Sequence, residues 1–162
     1  MTSKRIVAWI VLIFSCTLTT VTLFRVSAKS DDSAPSEKID KRYADAVKAA
    51  HNKDYKKAIE ILDKLVKEKP NDADVHNMLG YSLRKSGNKD LGMTEYQRAL
   101  VINPAHLGAL EYQGELFLEL KDLKNAKSNL TKLEKICGKS CTEYKTLSTA
   151  IESFLRNDSY QY

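Results

Sequence analysis

Residues 73–106 read ADVHNMLGYSLRKSGNKDLGMTEYQRALVINPAH. Val75, Leu79 and Leu83 recur four apart and mark one helix face, and Asp72 stands just ahead as an N-cap. Gly87-Asn88 interrupts the pattern as a turn, after which Tyr96, Ala99 and Leu100 mark a second helix that Pro104 closes. Outward from this stretch the same residue classes return every 34 positions. Ala46, Gly80 and Gly114 share one register; Ala58, Gly92 and Ala126 a second; Pro70, Pro104 and Gly138 a third. A period of about 34 is that of a helix-turn-helix solenoid, whose units bury their apolar stripes only against their neighbours.

The flanking units follow the same scheme. In 39–72, Tyr43, Val47 and Ala50 precede a break at Asn52-Lys53-Asp54-Tyr55, then Ala58, Ile61, Leu62 and Leu65 lead to Pro70. In 107–140, Leu110, Gly114 and Phe117 precede Ala126, Leu130 and Leu133. Ser140 and Glu143 have capping-box spacing, which predicts a last helix over 141–156 with the stripe Tyr144, Leu147, Ile151, Phe154 and Leu155, then a tail over 157–162.

The small residues in strict phase, the aromatic or leucine positions Leu62, Tyr96 and Leu130, and the closing prolines resemble the tetratricopeptide repeat. The resemblance covers 39–140. It implies an all-α fold, a right-handed α-solenoid of three helix pairs with a C-terminal capping helix. The departures are Arg42 and His76 where tryptophan is frequent, Lys121 for the turn glycine and Gly138 for the last proline. The family's groove is lined by the first helix of each pair, which here implies Tyr43, Val47 and Ala50, then Asn77, Tyr81 and Arg84, then Glu111, Glu115 and Leu118 as the partner-binding face. Members of the family that hold chaperone tails use a two-carboxylate clamp of lysine, asparagine and arginine. Tyr43, Val47, Glu111 and Tyr112 stand in most of those places, which argues against recognition of an acidic chain end. Tyr43 and Tyr81 read either as packing residues or as aromatic contacts beside Arg84, a combination enriched at interface centres.

Ahead of the repeats, Met1 to Arg5 is short and basic, 6–24 is almost wholly apolar, and Val26-Ser27-Ala28 offers small residues to a leader peptidase. Residues 1–28 are therefore expected to export the chain, as a signal peptide cleaved after Ala28 or as an uncleaved anchor, with the repeats beyond the membrane in the periplasm or another extracytoplasmic space in either case. Phe14 is too bulky for a lipidation signal at Cys16. Residues 29–38, KSDDSAPSEK, are expected to be a disordered linker. The net charge of +5 owes three residues to the leader (Lys4, Arg5 and Arg25), and removing them leaves 23 basic residues against 21 acidic ones. So even a balance provides no nucleic-acid footprint.

Cys137 and Cys141, four residues apart across Gly138, are expected to form a disulfide in an oxidising compartment. The rival reading is a thiol-disulfide or metal-handling factor, since a thiol at a helix start is activated. Gly138-Lys139-Ser140 is not a phosphate loop, because Leu133 stands where its first glycine belongs. His51, His76 and His106 lie far apart, no catalytic triad can be assembled, and no cofactor or metal is implied. Asn129-Leu130-Thr131 fits a glycosylation pattern but falls within a predicted helix. The reading is a non-catalytic scaffold of the cell envelope that binds a protein or peptide segment and assists assembly of another exported protein.

Overall fold

The computed structural model describes residues 35–159, which form seven helices: α1 (Pro35–His51), α2 (Tyr55–Glu68), α3 (Ala73–Lys85), α4 (Lys89–Ile102), α5 (Leu107–Glu119), α6 (Leu123–Cys137) and α7 (Thr142–Ser159). The expected leader, Cys16, residues 29–34 of the linker and 160–162 of the tail lie outside the described residues. Two boundaries differ from expectation. Helix α1 takes in 35–38, with Pro35 in the first position, where a missing amide donor costs nothing. At the other end α7 runs three residues into the expected tail.

The order of packing is that of a solenoid: α1 on α2, α2 on α3, α3 on α4 and onward, with α7 against both α5 and α6. The 34-residue phase is visible in the helix starts, since α2, α4 and α6 begin at 55, 89 and 123. Close approach is enforced by the small residues. A Cβ on Gly92 would meet the Gly80 carbonyl oxygen at 3.0 Å and the Arg84 amide nitrogen at 3.1 Å, so α3 and α4 touch backbone to backbone. Gly114 serves a different neighbour, because a Cβ there would stand 2.6 Å from a Leu147 methyl of α7.

Three-residue turns join the helices within each pair, and the same turn position has positive φ in all three: Lys53 at 63°, Gly87 at 97° and Lys121 at 60°. Only Gly87 adopts that conformation without a Cβ penalty. Aspartates cap the next helix in three places, with Asp54, Asp72 and Asp122 side chains accepting from Lys57, Val75 and Asn125 amides at 3.2, 3.2 and 3.0 Å. His106 caps α5 by accepting the Ala109 amide on Nδ1 at 3.1 Å, which leaves Nε2–H to donate to Asp74 at 3.0 Å.

Where the family favours tryptophan, polar clasps hold the pairs. Arg42 grips Glu68 of α2 through both guanidinium ends. Buried His76 spans from the Glu95 carboxylate of α4, at 2.6 Å, to the Pro70 carbonyl, at 2.9 Å. Apolar burial is split into two clusters. The first joins Ala46, Leu62, Leu65, Val75 and Leu79 of α1 to α3, and the second joins Leu110, Ala126, Leu133, Leu147 and Ile151 of α5 to α7. Asn129 belongs to the second region as a buried strut whose amide donates to the Leu110 carbonyl and to Gln113, at 3.1 and 3.0 Å, so it offers no acceptor site for a glycan.

Helix α7 begins one residue later than the capping-box reading placed it. The Lys145 amide donates to the Cys141 carbonyl at 3.2 Å, which makes Cys141 and not Ser140 the N-cap. Cys137, the last residue of α6, and Cys141 are joined in a disulfide. Gly138 turns the chain between them with φ 75°.

Candidate functional site

First helices α1, α3, α5 and α7 neighbour one another along one side of the stack, and the residues expected to line the groove divide there into a floor and a wall. Tyr43, Val47, Tyr81, Glu111 and Glu115 are half-buried and reach the surface. Asn77, Arg84 and Leu118 do not: each is less than a tenth exposed. Val47 and Tyr43 pack on the first apolar cluster, and the Tyr43 hydroxyl makes a long 3.5 Å contact to the Asp74 carbonyl.

Arg84 was expected as an open contact beside Tyr81, but its guanidinium is consumed. Nε donates to Glu119 at 2.9 Å, one terminal nitrogen to Glu115 at 2.7 Å and the other to the Tyr112 carbonyl at 3.1 Å. Lys89 completes the cluster with a 3.0 Å bridge to Glu119. Burial pulls the Arg84 pKa down, yet the Glu115 hydrogen bond and the charges around it outweigh burial and hold it above the ordinary arginine value. Burial works against ionisation of Glu119 as well, and hydrogen bonds from Lys89 and Arg84 reverse that and lower its pKa. Arg84 is thus a tie between the second and third helix pairs, bonding residues 31 and 35 positions away.

The wall is aromatic. Tyr55, at the start of α2, stands edge-on to Tyr81 at 6.4 Å between ring centroids, and Tyr81 lies tilted on Tyr112 of α5 at 5.0 Å. Lys85 sits 5.7 Å over the Tyr81 ring, within cation–π range. Beneath them Tyr96 is fully buried, 6.4 Å from Tyr112, and its hydroxyl makes no hydrogen bond of good geometry although Arg84 lies beside it. Burial, reinforced by Asp74 and Asp72, pushes the Tyr43 phenol up to about 12, and burial raises Tyr81 and Tyr112 too, so these hydroxyls remain neutral donors at physiological pH.

Tyr55 and Lys85 were not placed on this face by sequence phase, nor Glu119 with Lys89 beside it, and Tyr112 entered only as a residue standing in a clamp position. Tyr112 and Glu119 carry a signal in retrospect: they stand three residues before and four residues after the predicted groove residue Glu115, spacings that share one helix face. At the far end Glu111 of α5 faces Glu115 and, from α7, Glu143; burial first and these two carboxylates second raise its pKa to about 7, against a smaller opposing effect of Arg84.

Among the described residues, no group of three or more His, Cys, Asp or Glu is placed to hold a metal ion, and no helix is long and apolar enough to cross a membrane. The disulfide lies at the α6–α7 turn, on residues other than those that form the groove.

An all-helical solenoid of paired helices with a half-buried aromatic face on its first helices defines a class of repeat protein. A model of the tetratricopeptide repeat matches residues 73–106, the second helix pair, and the all-α fold is that of tetratricopeptide-repeat proteins. Over 56 residues it is 38% identical to the uncharacterized protein ycf37 of Pyropia yezoensis, a stretch that covers 35% of this chain and about a third, 32%, of that relative. The fold is similar to the Sgt2 TPR domain from Aspergillus fumigatus, with 21% identity, a TM-score of 0.68 and coverage of 78% of this chain and 82% of that one. It is similar as well to the Yersinia enterocolitica type III secretion chaperone SycD in complex with a peptide of the translocator YopD, with 21% identity, a TM-score of 0.64 and coverage of 77% and 95%.

Proposed function

We propose that this chain is a non-catalytic docking scaffold whose groove holds an extended or helical segment of another protein. The observation that carries the reading is the row Tyr55, Tyr81 and Tyr112, in edge-on and tilted ring contact yet only half-buried. Tyrosines held rigid by neighbours lose little entropy on contact and offer both an apolar ring and a donor, which is why such residues dominate interface energetics. The SycD neighbour, which holds a peptide of its partner, supports the same mode of use by analogy of fold.

The segment belongs, on this reading, to another exported protein whose assembly the scaffold assists. The basic start followed by the apolar run 6–24 supports export, and a disulfide at Cys137–Cys141 is the kind of bond that persists in oxidising compartments. Sequencing the mature N-terminus tests the leader: a start at Lys29 means cleavage, and retention of Met1 or Thr2 means an anchor. For the groove itself, a photo-crosslinking residue is introduced in the full chain at Tyr81 and separately at Val101, which is 82% exposed on α4. Irradiation in the source cells should join a discrete protein to the Tyr81 probe and not to the Val101 probe. Equal labelling at both positions would rule out the groove as the docking face.

A further inference from the structure

Most charged groups along the inner face already have partners: Arg84 holds Glu115 and Glu119, Lys89 holds Glu119, and Lys85 covers Tyr81. Glu111 and Glu143 are the exceptions. Both are half-buried, each stands one helical turn before the Gly114–Leu147 contact that joins α5 to α7, and among the described residues neither makes an ion pair or hydrogen bond. A second observation points the same way. Asn77 is 6% exposed and its Oδ1 accepts nothing. Its amide is aimed from α3 onto α5: the amide nitrogen would lie 3.1 Å from a Cβ on Gly108, one turn before Glu111. The orphaned Asn77 oxygen is sealed in the α3–α5 seam, and what this end of the groove offers a partner is two carboxylates without a hydrogen-bond donor, next to the Tyr81–Tyr112 aromatic wall. A partly desolvated carboxylate beside like charges is relieved by a cation with several N–H groups, and a charge-assisted hydrogen bond there is stronger than in open water.

We propose that the α5–α7 end of the groove receives a lysine or arginine side chain, so that the docked segment is basic and apolar in character, with its cation between Glu111 and Glu143 and its apolar residues along the tyrosines. The inference rests on the docking reading and specifies the chemistry of the occupant. Charge complementarity decides against an acidic segment, which would bring a further carboxylate to two that have no counter-charge.

The test uses the full chain in a mild nonionic detergent and fluorescein-labelled synthetic peptides of about twelve residues, long enough to span roughly 40 Å when extended. The peptides share a leucine and tyrosine frame and carry arginine, glutamine or glutamate at the same two positions. Fluorescence anisotropy should show the arginine peptide binding at least ~10-fold tighter than the glutamine peptide, with a preference that shrinks as salt is raised. Glu111→Gln with Glu143→Gln should erase that preference, and Glu111→Lys should turn it toward the glutamate peptide, each with an unchanged circular dichroism spectrum. If the glutamine or glutamate peptide binds as tightly as the arginine peptide and Tyr81→Ala abolishes binding, the groove reading stands and the basic occupant is overturned. If the arginine peptide binds with no response to Tyr81→Ala or to the glutamate variants, or if no peptide binds, both are overturned.

Discussion

Glu111 couples the stability of the fold to pH through one proton. Its carboxyl is held near 7 in the folded chain against an ordinary value of 4.5, by burial and then by Glu115 and Glu143. Between those values the folded chain keeps a proton that the unfolded chain has released, so stability falls as pH rises through this window and the whole loss is present above it. Glu111→Gln should therefore leave the urea midpoint unchanged near pH 4 and raise stability by about 1 kcal/mol near pH 8, a figure discounted from the full shift because the group is partly solvated. An equal gain at both pH values would contradict this account. Lys53 and Lys121 illustrate a backbone effect of similar size, since both sit at φ near 60° where Gly87 sits without strain. Lys121→Gly is expected to stabilise by about 0.5 kcal/mol, relief of the left-handed penalty exceeding the extra freedom of the unfolded chain; thermal unfolding checks it. That position was legible as a departure from the repeat at Lys121 but not at Lys53, whose neighbours Asn52 and Asp54 already read as a turn.

At the scale of the element, helices α1 to α6 were legible because close packing allows only small residues where helices touch, and that steric demand repeats with the period of the unit. Gly80 and Gly92 show the demand directly in the α3–α4 approach. The cap helix was legible from its stripe, as Leu147 and Ile151 are buried, yet its start was misplaced by one residue because Cys141 occupies the N-cap. The disulfide closes a loop of only a few residues, so Cys137→Ser with Cys141→Ser should lower stability by about 2 kcal/mol on the chain-entropy model. Binding of the glutamine peptide along the tyrosines should survive that change, because Tyr81 lies on α3 and α7 packs on α5 and α6, whereas the arginine preference also depends on Glu143 in the first turn of α7. Loss of binding in a pair variant that stays folded would instead favour a direct role for the sulfurs.

For the whole molecule, the two apolar clusters are held together across a seam in which Arg84 is the central polar tie. Its role was illegible in the sequence, where Glu115 and Glu119 stand 31 and 35 residues away and nothing local marks them as partners. Arg84→Ala strips half-buried Glu115 of its counter-charge, while Lys89 still bridges Glu119, and it empties a buried place in the seam, with a cost of about 3 kcal/mol. Amide exchange in that variant should lose protection in α5 to α7 before α1 to α3; uniform loss would mean that the seam has no separate weight. What the sequence made plain was the stack and the register of its first helices, while the floor and wall of their shared face emerged only from contacts between repeats. The most direct measurement of the central claim is a titration of the isotope-labelled chain with the arginine peptide, followed by amide chemical shifts. The account predicts shifts confined to the inner stripe at Tyr81, Lys85, Glu111, Tyr112 and Glu143. Shifts centred on Val101 and Ile102, or none at all, would contradict it.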